Sequence, residues 1–282
     1  MLKFISFGSG SSGNSLLLCT STDCLLIDSG LGIRQIKKHF RDYGLSLSEI
    51  KHILVTHDHA DHVKSVGSLS SDYHLPVYAT KEVHKGIYKN YCVPRKVPVD
   101  LQRTIEKGKT YEIGEFQVTP FNVPHDSADN VGYRIVCQGV VFCLITDAGE
   151  VTDEMKLHIS GADYLVMEAN HDEEMVRRGP YPAHLKRRIL SPVGHLSNSA
   201  CGEALAQNMT ERLRRVWLCH LSEENNHPEL ARKTVEAILA GYGILVGKDL
   251  QLDVLKRTVP SGFYELTNDD DKSDDDADKR DI

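Results

Sequence analysis

The sequence contains no apolar run long enough to cross a membrane; the longest clear one, Val140 to Ile145, has the length of a strand. Its opening residues, Met1 to Phe7, are too short in their apolar part for a secretory leader and run straight into glycine. No Cys-x-x-Cys pair occurs among the seven cysteines, and seven is an odd number. Most of Cys19, Cys24, Cys92, Cys137, Cys143, Cys201 and Cys219 sit in apolar runs, so the set reads as buried free thiols of a reducing cytoplasm. No Gly-Lys-Ser/Thr follows the glycine-serine stretch Gly8 to Ser15, which excludes a Walker loop. No internal repeat is visible. Positive charge is not in excess: the formal net charge is −7. Most of that comes from Asp269 to Ile282, where eight aspartates face Lys272, Lys279 and Arg280, leaving the rest of the chain at −2. A near-neutral body can still carry a local basic patch. The Asp-rich end reads as a solvated, disordered tail, because like charges repel and nothing in it can be buried.

What is present is a 282-residue chain with 40% hydrophobic and 26% charged residues, enough for a substantial core. We expect one domain over residues 1–266 and an acidic tail over 267–282. The organising stretch is Leu54-Val55-Thr56-His57-Asp58-His59-Ala60-Asp61-His62. A β-branched, apolar run stops abruptly at four metal-capable side chains, which reads as a buried strand ending in a loop. His57 and His59, two apart on extended backbone, lie on one side and can grip one ion. Asp61 and His62 follow the turn and can face a second ion. Imidazole and carboxylate are ligands for zinc and its first-row neighbours.

Further strands are expected at Leu2–Phe7, Leu16–Cys19, Cys24–Asp28, Val77–Ala79, Phe116–Phe121, Val131–Cys137, Val140–Thr146, Tyr164–Met167, Val216–Cys219, Leu250–Val254 and Gly262–Leu266. Helices are expected at Ile33–Tyr43, Val66–Ser70, Thr80–Lys89, Ser199–Gln207 and Pro228–Ala240. The loop Gly8–Ser15 has two readings of equal weight: a hairpin connection needing glycine, or an anion-facing loop.

The His-x-His-x-Asp-His stretch resembles the signature of the metallo-β-lactamase superfamily. That resemblance implies an α/β (α+β) protein, a four-layer αββα sandwich with a two-metal hydrolytic site at one edge. It also implies a third ligand for the first metal, matched by His125 after Val123-Pro124, and a metal-bridging carboxylate, matched by Asp147 after the apolar strand. Two histidines compete for the last ligand position. His220 directly follows an apolar strand, like the other strand-end ligands, so it is assigned to metal. His195, in Gly194-His195 on a loop before a helix, matches the non-ligand catalytic histidine of phosphodiesterase members. The expected metal set is therefore His57, His59, Asp61, His62, His125, Asp147 and His220, with Asp61 and His195 as the catalytic residues. Asp28, Glu168 and His171 are expected to support them from behind. Ser11, Asn14, Arg187, Arg188 and Asn198 are expected to bind phosphate.

The wider pattern, with Glu168-Ala169-Asn170-His171-Asp172, Gly194-His195-Leu196-Ser197-Asn198 and His220-Leu221-Ser222, is similar to the bacterial YycJ/WalJ-like branch, which implies DNA exonuclease activity. Only 73 residues separate Asp147 from His220, which leaves no room for an inserted β-CASP domain. The expectation is a dinuclear phosphodiesterase or nuclease, in its most specific form a 5′–3′ DNA exonuclease, using a metal-bridging hydroxide. Its cofactors would be two divalent ions, Zn2+ before Mn2+, and its partner nucleic acid, with no membrane. The basic run Arg177, Arg178, Lys186, Arg187 and Arg188, with no acid after Glu174, supports a polyanion. The rivals are a small-molecule ester, thioester, lactone or cyclic-phosphate hydrolase on the same site, and a non-catalytic metal-binding regulator.

Overall fold

The computed structural model describes residues 1–268. The acidic stretch expected as a tail lies outside them, apart from Thr267 and Asn268. Thr267 is tied down, its N–H donating to the Tyr164 hydroxyl at 3.1 Å.

The strands are β1 Leu2–Gly8, β2 Ser15–Cys19, β3 Cys24–Ile27, β4 Ile50–Leu54, β5 Val77–Ala79, β6 Gln102–Thr104, β7 Tyr111–Ile113, β8 Phe116–Asn122, β9 Val131–Cys137, β10 Val140–Ile145, β11 Tyr164–Glu168, β12 Arg215–Cys219, β13 Gln251–Val254 and β14 Tyr264–Leu266. The helices are α1 Ile33–Asp42, α2 Ala60–Val63, α3 Val66–Tyr73, α4 Lys81–Lys89, α5 Asp153–Ser160, α6 Glu173–Arg178, α7 Ala183–Ile189, α8 Asn198–Asn208 and α9 Pro228–Gly241. Among the described residues the strands form two seven-stranded sheets. One runs β14-β1-β2-β3-β4-β5-β6, the other β13-β12-β11-β10-β9-β8-β7.

Three cores separate four layers. Between the sheets, Phe4 packs on Trp217 with ring centroids 4.6 Å apart and on Phe142 at 5.2 Å, amid Leu18, Val166 and Leu144. Outside the first sheet, Ile36 and Phe40 of α1, Leu69 of α3 and Val83 and Ile87 of α4 cover Ile5, Leu17 and Ile53. Outside the second, Met155 of α5, Leu205 of α8 and Val235 of α9 cover Ile145 and Leu218. This is the expected αββα sandwich. Central strands such as β2, β3, β10 and β11 are buried at every residue because both faces are covered.

The cysteine expectation is corrected at one pair. Cys19 and Cys24 are joined in a disulfide, their Cα atoms 4.2 Å apart. They end β2 and begin β3, and the antiparallel register sets them directly opposite each other across a short turn. Cys137, Cys143, Cys201 and Cys219 are buried and free, as expected, while Cys92 is free and half-buried. Among the described residues no helix is long and apolar enough to cross a membrane.

The fold positions the site through its parallel strands. β3–β4 and β10–β11–β12 run parallel, so their carboxyl ends meet at one edge of the sandwich. Asp28, the His57 loop, Asp147, Glu168 and His220 all leave from those ends. Carboxyl ends of parallel strands are where such sheets gather their chemistry.

Candidate metal centre

The loop after β4 is held from below by one carboxylate. Asp28 Oδ1 accepts the Thr56 N–H at 2.9 Å. Its Oδ2 accepts the Thr56 hydroxyl at 2.8 Å and His62 Nδ1 at 2.7 Å. That hydroxyl, having given its own hydrogen to Asp28, can only accept from His57 Nδ1 at 3.1 Å. Both imidazoles are thereby fixed as Nδ1–H tautomers with Nε2 turned to the site. The loop lies so close to the β3 turn that a Cβ on Gly30 would come 1.6 Å from the Asp61 carbonyl oxygen. Only glycine permits that approach.

The second sheet supplies the remaining groups one at a time. His125 Nδ1 donates to the Gly194 carbonyl at 2.9 Å, which leaves its Nε2 facing His59 Nδ1 at 3.3 Å. Asp147 lies between clusters: Oδ2 is 3.2 Å from His62 Nε2, and Oδ1 is 3.8 Å from His125 Nε2. Asp61 Oδ2 lies 3.6 Å from His62 Nε2 and 3.4 Å from His220 Nε2. Glu168 is fully buried and does double duty. Its Oε1 accepts His195 Nδ1 at 2.8 Å and His220 Nδ1 at 3.0 Å; its Oε2 accepts the Ala148 and Leu196 N–H groups. The His195 ring stands between those of His125 and His220, at centroid distances of 5.0 and 5.3 Å.

Asp28, Asp147 and His220 all take left-handed backbone, with φ of 58°, 53° and 54°. Each costs about 1–3 kcal/mol in a non-glycine residue, a strain that functional sites characteristically hold.

Several residues offer ligand atoms within 4.8 Å of one another: His57, His59 and His125 form one group, Asp61, His62 and His220 another, and His57, His62 and Asp147 a third. The electrostatics ask for a cation. Burial, then the neighbouring His62, holds His57 well below its ordinary value, and its buried Nε2 has no hydrogen-bond partner. A neutral, orphaned imidazole nitrogen is a lone pair in need of an acceptor. Burial alone would raise the Asp147 carboxyl, but His220, His62 and His57 hold it well below the usual range. Burial likewise works against charge on His220, yet Asp147, Asp61 and Glu168 lift it to about 10. In this ion-free arrangement protons sit where the carboxylates call for positive charge, so the residue set fits divalent ions.

The structure brings all seven expected ligands together, with Asp28, Glu168 and His195 in contact with them. His171 is buried, its Nδ1 has no hydrogen-bond partner, and its carbonyl accepts the Asn198 N–H. Two of the expected phosphate binders are corrected. Asn198 is buried and exchanges amide bonds with Asn226 at 3.0 and 2.9 Å, so it ties α8 to the loop after β12. Asn14 is also buried; its Nδ2 lies 2.8 Å from His62 Nε2 and 3.3 Å from Asp61 Oδ2. It braces ligands, as does its loop, where Ser9 Oγ accepts the His220 N–H at 2.9 Å. Ser11 is exposed at the loop tip.

The basic run is largely neutralised. Helical spacing pairs Arg177 with Glu173 at 3.2 Å and Arg178 with Glu174 at 2.7 Å. Arg188 grips Asp126, the neighbour of His125, with two guanidinium nitrogens. Arg187 is exposed, without an ion-pair partner among the described residues.

The sequence reading missed Thr56, whose hydroxyl links two ligands to Asp28, and Asp58. Asp58 lies inside the signature but belongs to none of the ligand groups. Its Oδ1 accepts the Ala128 N–H at 3.1 Å, its carbonyl accepts Asn90 Nδ2 at 2.7 Å, and a Cβ on Gly86 of α4 would strike its carboxylate.

A sequence profile of the β-lactamase superfamily domain matches residues 24–221. The chain is 38% identical over 251 residues to "Exodeoxyribonuclease YycJ" of Bacillus anthracis, covering 89% of this chain and 94% of that protein. It is 37% identical over 250 residues to "Exodeoxyribonuclease WalJ" of Streptococcus pneumoniae, covering 89% and 93%. Among solved structures, Zn(2+)-bound PqqB from Methylobacterium extorquens superposes with a TM-score of 0.70 at 18% identity, covering 94% of this chain and 100% of that one.

Proposed function

The chain belongs to the metallo-β-lactamase superfamily and is a hydrolase of it, and from that premise we propose a dinuclear phosphodiesterase that degrades DNA from an end. The observation that carries the dinuclear half is Asp147, whose carboxylate reaches both histidine groups: Oδ1 lies 3.8 Å from His125 Nε2 and 3.4 Å from His220 Nδ1, and Oδ2 lies 3.2 Å from His62 Nε2. The DNA half is supported by the two bacterial relatives named as exodeoxyribonucleases over nearly the whole chain.

In this reading His57, His59 and His125 hold the first ion, Asp61, His62 and His220 the second, and Asp147 lies between. Zinc suits the five imidazoles, with manganese as the alternative. The ions would supply an acidified water and draw off charge developing on the phosphate. Everything else is done by the chain. Asp28 and Glu168 fix the tautomers that turn ring nitrogens inward. Asp61 and Asp147 receive the protons of an approaching water through their free lone pairs. His195, anchored through Nδ1 to Glu168, keeps Nε2 for the leaving oxygen and delivers a proton there. Arg187, and Arg188 through its hold on Asp126, form the cationic rim on the α7 side.

The test is a substrate panel. Metal-loaded protein is offered labelled single- and double-stranded DNA, RNA, bis-p-nitrophenyl phosphate, a lactone and a thioester. The expected result is stepwise shortening of DNA with the lactone and thioester untouched. Hydrolysis of either of those, with DNA and RNA intact, overturns the reading.

A further inference from the structure

A groove of about 530 Å³ opens beside the centre, and Asp58, His59 and Ala60 form part of its wall. The volume lies within the range of ligand sites. Its other walls come from α4 and the turn after it, including Lys85, Lys89 and Tyr91. The exposure there is unusual. Tyr91 is 91% exposed and Tyr88, three residues earlier, 69%. Aromatic side chains are normally drawn into contact, since their apolar area is large. Tyr91 has no ring partner among the described residues, and Lys89 has no ion-pair partner among them. Lys85 meets only Glu82, in an exposed pair at 3.3 Å that contributes little.

The groove is also held in fixed relation to the centre. Asp58, between His57 and His59, is clasped by Asn90 and packed against Gly86. The wall that carries Lys85, Lys89 and Tyr91 is thus bonded to the loop that carries the ligands.

We infer that this groove is the track for the single-stranded DNA segment next to the scissile bond, with a base stacked on Tyr91 and the backbone passing Lys89 and Lys85. The inference rests on the nuclease reading above. The exposed Tyr91 ring beside Lys89, which has no ion-pair partner among the described residues, and beside the weakly paired Lys85, next to a phosphate-cleaving centre, suits a strand whose bases are unpaired: every base offers a π-face, and every linkage a charge. A duplex would keep its bases out of reach. A small lactone or thioester would leave both features unused.

The experiment uses the full, metal-loaded chain and two substrates, a dinucleotide and a single-stranded oligonucleotide about ten nucleotides long. The ratio of their kcat/KM values reports the track and cancels general damage. Tyr91→Ala should lower that ratio about tenfold, the scale of one lost stack, while Tyr91→Phe should keep it. Lys85→Ala with Lys89→Ala should flatten the salt dependence of oligonucleotide binding. A 2-aminopurine beside the scissile linkage should be quenched on binding to the wild type and not to Tyr91→Ala. If the wild type cuts the oligonucleotide and Tyr91→Ala matches it in ratio and quenching, the track is wrong and the nuclease reading stands. If the wild type cuts no oligonucleotide, both fall.

Discussion

The first sheet delivers His57, His59, Asp61 and His62 from one six-residue loop and steadies it with a single carboxylate, Asp28. The second sheet delivers His125, Asp147, Glu168, His195 and His220 from five separate loops or strand ends, and its carboxylate, Glu168, serves two rings at once. One half is built by covalent adjacency, the other by strand order. A contiguous loop can be displaced as a unit and keep its internal geometry. A dispersed set depends on every strand that carries a member, so single changes there should travel further.

The sharpest break of that contrast is at Asp147, the dispersed half's one bridge between groups. Asp147→Ala should lose both ions, or hold them only weakly, and activity should fall to background; elemental analysis after reconstitution reads the first, hydrolysis of bis-p-nitrophenyl phosphate the second. A variant that keeps two ions would show that the Asp147 bridge is dispensable.

Next in size is His195. Placed as a proton donor, it should cost roughly 10²–10⁴-fold in kcat when replaced by Ala, with metal content unchanged. His220→Ala should lower metal content as well. The opposite pattern would exchange the two assignments.

The two supporting carboxylates compare the halves directly. Losing such a partner typically costs about 10- to 100-fold. Asp28→Asn should act on metal affinity alone, through His62 and, by way of Thr56, His57, whereas Glu168→Gln should lower metal affinity through His220 and turnover through His195. Metal titrations of both variants beside kcat at saturating metal would measure the difference, and a Glu168→Gln variant whose loss is confined to metal affinity would remove the asymmetry.

The smallest effect concerns protons. In the ion-free protein burial opposes charge on His62 and His220, but surrounding carboxylates raise both, His220 to about 10. At pH 7.5 the His220 ring is therefore protonated and must deprotonate to accept an ion. Metal uptake should release protons, seen as a buffer-dependent calorimetric enthalpy, and apparent affinity should fall as pH is lowered. In the ion-free fold the stabilisation from a raised His220 is full below about pH 6.5 and is lost as pH rises towards 10.

The same contrast explains what the sequence made legible. The loop from His57 to His62 declares itself because its ligands are neighbours in the chain. His125, Asp147 and His220 are single polar residues after apolar strands, and resemblance to a family was needed to select them. Asn14 and Asn198 looked available because they lie in polar stretches; burial against Asp61 and Asn226 is a tertiary fact. Cys19 and Cys24 became partners only once the hairpin register was known. The central strands were readable from their unbroken apolar runs. β6 and β7, three residues each at sheet edges, carry too little pattern, and α6 and α7 are short and charged enough to pass for loop. Tyr88 and Tyr91 gave no signal, since an aromatic residue within or just after a helix is ordinarily core.

The pairing of β14 with β1, Leu2 against Leu266, has a consequence for the growing polypeptide. During synthesis the first strand emerges early, and its outer edge stays open until the chain has been made almost to the end of the body. At about 5–20 residues per second that interval lasts some tens of seconds. An open, apolar edge is a template for pairing with other chains. Lys3 supplies the one exposed charge along β1. Nascent chains stalled before residue 264 should therefore be more prone to clump, or to need a chaperone, than the finished protein, although every candidate metal ligand has already been made by then.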